Sequence, residues 1–321
     1  MSHGRTLEAV TLGEAMAAML AADGRPLRSA RLFVRTVAGA ELNVAVGLAR
    51  LEHRCAWIGR VGDDPLGEDI CATLRAEGVD DTMVVADPAA PTGLLTRDMH
   101  PSRRVRVTYH RAGSAGSRLD PADIDPESWG EAKLLHVTGI TPALSPSARA
   151  ASETAVSVAA DREMVITFDP NLRTRLWSEA DARSVLAPLA ARATVVLASE
   201  AEARWLSGCS DSLAATAGWF HDQGVRVVVL KRGSLGVQVS DERGTFEVAA
   251  PDVREVDPVG AGDAFNAGFI SGLLDGRGST ECARRGVACG AACVQTPGDI
   301  EGLPGRHELD DLLADHREAD R

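Results

Sequence analysis

Three observations predict an α/β fold built on a largely parallel sheet, with a small second sheet set apart from it. Short apolar runs alternate with helical patterns through most of the chain, the signature of βαβ units. The 321 residues, 45% apolar and 25% charged, suffice for one large core with a small appendage and exclude a disordered or fibrous chain. Two stretches, 27 to 37 and 92 to 111, break that alternation and read as strands without helices of their own, and these form a separate sheet with the character of a lid.

The strands of the main sheet are predicted at 7 to 12, 54 to 61, 133 to 138, 164 to 168, 194 to 198 and 225 to 230, each a short apolar run of the kind a parallel sheet buries on both faces. Between them, apolar residues at three- and four-residue spacing predict helices near 41 to 51, 66 to 76, 146 to 160, 179 to 190 and 212 to 222. A further strand at 244 to 249 leads to helices at 261 to 274 and 279 to 295. No repeat and no low-complexity linker interrupts the series, so the chain reads as a single domain over 1–321. Its lid strands come from about 14–38 and 91–112.

Charge narrows the partners. With 34 Lys plus Arg against 46 Asp plus Glu, the formal charge is −12, and the field of the molecule repels phosphate backbones and anionic lipid. Nucleic acid and membrane are therefore excluded as expected partners, and an anionic small substrate needs a local cluster of basic groups. No apolar run approaches a membrane span, and Glu8 and Glu14 interrupt the N-terminal apolar stretch, so a cytoplasmic location is expected. Six cysteines without a CxxC pair match neither a disulfide framework nor a zinc knuckle. Cys282, Cys289 and Cys293 fall on one helical stripe, as buried thiols do.

In the lid stretch, Arg103, Val105, Val107, Tyr109 and Arg111 share one strand parity, and Arg104, Arg106 and Thr108 the other. Tyr109, the only tyrosine, therefore points the same way as Arg111. Packing within the lid sheet accounts for it as well as ligand contact does.

Walker A, GxGxxG and HExxH are all absent. What remains is Asp257-Pro258-Val259-Gly260-Ala261-Gly262-Asp263-Ala264-Phe265, a strand-to-helix turn with two glycines. Unpaired N–H groups at a helix start make an anion site, and a carboxylate in that first turn sits beside the anion. A tight turn with Asp263 favourable to the helix dipole explains the same residues.

This segment resembles the D-T-x-G-A-G-D signature of the ribokinase (PfkB) family of carbohydrate kinases, with Pro258 in place of threonine. Gly39-Ala40-Glu41-Leu42-Asn43 followed by Gly59-Arg60-Val61-Gly62-Asp63-Asp64-Pro65-Leu66-Gly67 resembles the family's N-terminal signature, so the likeness runs over nearly the whole chain. Four features are similar to the family's kinases of 2-dehydro-3-deoxygluconate: Tyr109-His110-Arg111 with 113 to 117, the run His136 to Pro146, Asp169-Pro170-Asn171-Leu172-Arg173, and Pro258. The resemblance implies a ribokinase-like three-layer α/β/α core with a β-sheet lid, ATP and Mg²⁺ as cofactors, possible dependence on a monovalent cation, and a possible homodimer formed through the lid.

The resemblance also implies roles. Asp263 is the general base, and the backbone of Gly260, Ala261, Gly262 and Asp263 is the anion hole, which agrees with the little that phosphoryl transfer asks of a protein. Gly39, Ala40, Glu41 and Asn43 lie on the sugar side, although an N-terminal cap on an apolar helix explains Glu41 adequately and Asn43 less well. Tyr109 and Arg111 reach from the lid, and Arg173 lies past a strand's C-terminal end. Two guanidinium groups suit a sugar acid better than a neutral ketose, while either arginine is also readable as a surface group. Asp299 is a sugar-side position that reads too as an ordinary turn. Asn171, Ser199, Lys231, Gly233 and Gly236 fall on the nucleotide side, and Glu202 influences Mg²⁺ through water. Three positions depart from the family pattern, Ala38 for glycine, Leu95 for a lid tyrosine and Val287 for asparagine, and Ser199 stands for another asparagine.

The competing readings are a kinase of fructose or another neutral sugar, a non-catalytic sugar sensor on the same fold, and a nicotinamide-dependent dehydrogenase. An intact Asp263 opposes the sensor. The missing glycine fingerprint opposes the dehydrogenase.

Overall fold

The structure, a computed structural model, describes residues 6–98, 106–209 and 211–319. The chain runs through β1 (Ala9–Leu12), β2 (Met16–Ala21), β3 (Phe33–Ala38), α1 (Ala40–Arg50), β4 (Cys55–Gly62), α2 (Pro65–Ala76), β5 (Val84–Asp87), β6 (Gly93–Arg97) and β7 (Val107–His110). It continues with β8 (Leu134–Thr138), α3 (Pro146–Asp161), β9 (Val165–Asp169), α4 (Glu179–Ala191), β10 (Val195–Ser199), α5 (Glu200–Ser207), α6 (Leu213–Asp222) and β11 (Val227–Lys231). The last elements are β12 (Val237–Asp241), β13 (Gly244–Val248), α7 (Ala261–Leu274), α8 (Ser279–Cys293) and α9 (Arg306–Ala319).

The main sheet has the order β13-β12-β11-β10-β9-β8-β1-β4-β5. Its pairs are parallel from β11 through β5, and β12 and β13 extend it as antiparallel hairpin strands. Side chains alternate across it as the strand period requires. On β10, Val195 and Leu197 face a core shared with α1, α2, α7, α8 and α9, whereas Val196 and Ala198 face one shared with α3, α4, α5 and α6. Helices thus cover both faces, and the sheet is the middle layer of three.

One register places the chemistry. Thr138 pairs with Asp169 and Ser199 with Lys231. Four adjacent parallel strands therefore deliver Thr138, Asp169, Ser199 and Lys231 to the sheet's carboxyl edge, where open α/β sheets hold ligands.

The second sheet has the order β3-β2-β6-β7 and differs from expectation in detail. The expected strand at 27 to 37 is confined to Phe33–Ala38, because Ser29 and Ala30 donate to the Pro26 carbonyl at 2.8 and 2.9 Å and form a turn instead. Its partner β2 was not among the individual strands read from the sequence. The stretch 92 to 111 is two strands, β6 and β7; Arg103, Arg104 and Val105, part of its parity argument, lie outside the described residues. The element α5 is also new. Ser199 accepts from the Glu202 N–H while the Glu202 carboxylate returns to Ser199, a capping box that starts a helix directly after β10.

Helices α7 and α8 approach closely. A Cβ added at Gly268 would sit 2.6 Å from the Arg285 carbonyl oxygen, and one at Gly272 would meet Cys282 at 2.7 Å. Gly268→Val is therefore expected to force the helices apart and cost about 1–3 kcal/mol, read as a lowered Tm; an unchanged Tm would show that the contact is slack.

Candidate active site

A cavity of about 880 Å³ opens at the carboxyl edge of the main sheet. Of the residues singled out in the sequence, Tyr109, Asn171, Arg173, Ser199, Glu202, Lys231, Gly233, Gly236 and the turn Gly260 to Asp263 line it. Gly39, Ala40, Glu41, Asn43, Arg111 and Asp299 do not line it and are attached to it from one side.

The turn comes first because the rest is arranged about it. Gly260 is the N-cap of α7 at φ 82°, a left-handed value, and no side chain caps the helix. A Cβ there would stand 2.6 Å from the Asp299 carbonyl oxygen, so both the conformation and the space demand glycine. The first-turn N–H groups lack intrahelical acceptors and face the cavity end of the helix dipole. Asp263 lies in that turn. Its carboxylate accepts a hydrogen bond from Asn43 Nδ2 at 2.8 Å, while burial pushes its pKa up to about 7, with Asn43 and Lys231 opposing and Asp169 and Asp299 adding.

Lys231 reaches the same turn, its Nζ 3.7 Å from where a Cβ on Gly262 would be. It is held from below, donating to Asp169 Oδ2 at 2.8 Å and to Asn266 Oδ1 at 3.2 Å, and Asn266 Nδ2 also donates to Asp169 at 2.8 Å. Burial pushes the Asp169 carboxyl up, but Lys231 and Asn266 outweigh it and hold it below the usual range. Asp169 also accepts from the Asn171 N–H, which steadies Asn171 in a left-handed conformation, φ 36°. Gly233 and Gly236 flank the turn after Lys231, both at positive φ. Glu202 accepts from the Leu172 N–H at 2.7 Å through one oxygen and from Ser199 through the other. It joins the loop after β9 to the start of α5.

The first helix begins without a side-chain cap at Gly39, so capping does not explain Glu41. Glu41 is buried and accepts from the hydroxyls of Thr138 and Thr141, both at 2.7 Å, with its pKa raised by that burial. Ala40 opens the helix, and the backbone of Gly39 lies against Glu14, whose carbonyl oxygen would be 2.4 Å from an added Cβ. Asn43 Oδ1 is buried and has no hydrogen-bond partner among the described residues.

The two arginines differ. Tyr109 lines the cavity with the Arg111 guanidinium 5.5 Å from its ring centre, so the shared direction holds. Arg111 is ion-paired to Glu14, a buried carboxylate that also accepts from the Ser114 hydroxyl at 2.6 Å. Arg173 is exposed on the cavity wall and forms no ion pair among the described residues. Asp299 is buried and pairs with Arg97 Nη1 at 3.0 Å; burial pushes its pKa to about 6.

Sequence reasoning passed over Glu14, Asp169, Asn266 and Arg97 as site residues. Asp169 had a usable signal in its place at the end of a predicted strand, and Asn266 sits three residues after Asp263, on the same helix face. Glu14 and Arg97 are brought in by the second sheet alone. No group of three or more His, Cys, Asp or Glu among the described residues could hold a metal ion. Nor is any helix among them long and apolar enough to cross a membrane.

The model of the pfkB family carbohydrate kinases matches residues 7–306. The chain is 38% identical to the 2-dehydro-3-deoxygluconokinase of Bacillus subtilis, covering 97% of each. It is 37% identical to the enzyme of that name from Thermoproteus tenax, over 95% of this chain and 93% of that one. An Escherichia coli protein solved in complex with ATP and Mg²⁺ superposes with a TM-score of 0.90 at 27% identity, covering 97% of this chain and all of that one.

The raised pKa of Asp263 has a signed consequence. The folded chain keeps a proton that the unfolded chain, at the ordinary value of 3.8, has lost, so stability falls as pH rises from about 4 through about 7. Asp263→Asn removes that penalty. It should raise Tm at pH 8, with the advantage shrinking as pH falls to 5; an equal advantage at both values would mean that Asp263 titrates normally.

Proposed function

We infer the reaction from the premise that the chain belongs to the pfkB family of carbohydrate kinases and is an ATP-dependent sugar kinase. The acceptor we propose is the primary hydroxyl of 2-dehydro-3-deoxy-D-gluconate. The observation that carries the transfer is Asp263 in the uncapped first turn of α7, with its pKa at about 7. A base whose pKa lies near the working pH accepts a proton most usefully. The sugar oxygen attacks the γ-phosphorus as its proton passes to Asp263, the bond from phosphorus to the β,γ-bridging oxygen breaks, and ADP leaves. The N–H groups of Gly260 to Asp263 and the Lys231 ammonium face the oxygens of the group in transfer. Mg²⁺, when bound, would supply charge neutralisation to the phosphates, and Glu202 would act on it through water.

The sugar acid is favoured over a neutral sugar by Arg173. Arg111 has its charge met by Glu14 and serves sugars of either kind by holding Tyr109, whereas Arg173 is a guanidinium on the cavity wall without a described ion-pair partner. Asn43 Oδ1, buried and without a hydrogen-bond partner among the described residues, is suited to accept from a sugar hydroxyl. We also propose a homodimer through the small sheet, because its edge strand β3 and the residue before it expose Leu32, Phe33 and Val34 at 65, 37 and 55%. An open apolar edge of this kind is a pairing surface.

Three outcomes test these readings. Asp263→Asn should lower kcat by about 10²–10⁴ with ATP binding kept; turnover within threefold of wild type would assign the proton to another group. Arg173→Ala should cost about 1 kcal/mol in kcat/KM for the sugar acid, the scale of an exposed ion pair, and much less for fructose. Equal losses on both, or a wild-type preference for fructose, would replace the acid-sugar reading with the neutral one. Light scattering should find a dimer in wild type and a monomer in Leu32→Asp/Val34→Lys; a wild-type monomer at micromolar concentration would remove the dimer.

A further inference from the structure

Arg97 is the last residue of β6 in the small sheet, and it is 2% exposed. A guanidinium so far from water is held only where charge and hydrogen bonds meet it. Here its Nη2 lies 2.8 Å from Asp257 Oδ2 and its Nη1 3.0 Å from Asp299 Oδ1. The two aspartates belong to the two backbone segments that build the anion-hole turn. Asp257 accepts from the Val259 N–H at 3.1 Å and from the Gly298 N–H at 3.1 Å, so it ties both segments together. The Asp299 backbone packs beneath Gly260 so closely that no Cβ fits between them. The same loop is gripped from β3, where the Thr36 hydroxyl donates to Glu301. We propose that Arg97 is a positioning residue that fixes the anion-hole turn to the small sheet, so that the seating of that sheet over the sugar sets the geometry at Gly260 to Asp263.

The proposal rests on reading the turn as the phosphoryl site, and adds that a residue outside the cavity governs it. It also makes the charge of Asp299 depend on the small sheet. The groups facing that carboxyl are Arg97 from β6, Asp257 and Glu301 from the adjoining loops, and Asn43 from α1, with Asp263 beyond. Arg97 is the cation among them. Withdrawing it leaves Asp299 among carboxylates, so the pH at which Asp299 ionises moves up by roughly one to three units.

The test uses Arg97→Lys, which keeps the charge but has one nitrogen for two partners, and Arg97→Gln, which removes the charge. Both are assayed in the full-length protein with the sugar acid and ATP. The expected result is a loss of at least tenfold in kcat with the KM for ATP within threefold of wild type. In Arg97→Gln the lower of the two ionisations on the acid limb of kcat/KM, that of Asp299 beneath that of Asp263, should also move to higher pH. Asp257→Asn, which removes a neighbouring negative charge from Asp299, should move that limb the other way, and it serves where the Arg97 variants do not fold. Unchanged kcat and pH profile in a folded variant overturn the proposal. So does a loss that merely follows a lowered Tm with the profile in place, or a limb that does not move in Asp257→Asn. Full turnover in Asp263→Asn would instead bring down the underlying reading of the turn, so the two failures are told apart.

Discussion

A carboxyl group held out of water without a cation of its own is the constraint about which the site is arranged. Asp263 has an amide, Asn43, as its hydrogen-bond partner, and the positive groups nearest the turn are committed elsewhere. Lys231 is fastened to Asp169 and Arg97 to Asp257 and Asp299. Had either cation been turned onto Asp263, the carboxylate would be stabilised, its pKa would fall, and its capacity to take a proton near neutral pH would fall with it. On the proposed reading, Asp169 holds the Lys231 ammonium beside the phosphate site and limits its pull on Asp263, while Asp257 and Asp299 hold the Arg97 guanidinium away from it.

The fold makes this arrangement available at small cost. Parallel strands in register bring Thr138, Asp169, Ser199 and Lys231 to one edge, and α7 begins there without a side-chain cap. The close approach of α7 to the loop at Asp299 needs glycine at 260 and that of α7 to α8 needs glycine at 268. Space around the turn is thus set by missing side chains, and its position is rigid because those backbones touch. A site that stabilises developing charge depends on donors that are in place beforehand.

How much of this was legible in the sequence follows from the range of each interaction. Strands and helices of the main layers were readable because burial on both faces writes apolar runs and periodic stripes into the chain, as at Val227–Lys231 and Ala261–Leu274. The turn at Gly260 was readable because its constraint is local. The small sheet was read only in outline, since β2, MAAMLA, carries no alternation and its partners are distant in sequence. Glu14, Arg97 and Asn266 were missed for a related reason. Their importance lies in ion pairs and hydrogen bonds across 35 to 202 positions, and for Glu14 and Arg97 nothing near them in sequence marks a partner. Ser199 and Glu202 show the opposite case: a local capping box fully explains their spacing, so their resemblance to a nucleotide-side motif carries less information than it first suggests.

The difference between the two arginines bears on how such a site selects an acid. A guanidinium already paired with a buried carboxylate, as Arg111 is with Glu14, offers a substrate carboxylate little net attraction, because that charge must enter a neighbourhood also holding Glu41. A guanidinium on the cavity wall, as Arg173 is, gives up only water to bind the same group. If Arg173 meets the acid as proposed, selection lies at the rim, where the charge of the ligand is met last, and the interior, balanced in charge before the ligand arrives, is left to recognise hydroxyl groups. Such a division lets the rim change its preferred substrate without disturbing the groups that set the pKa of Asp263.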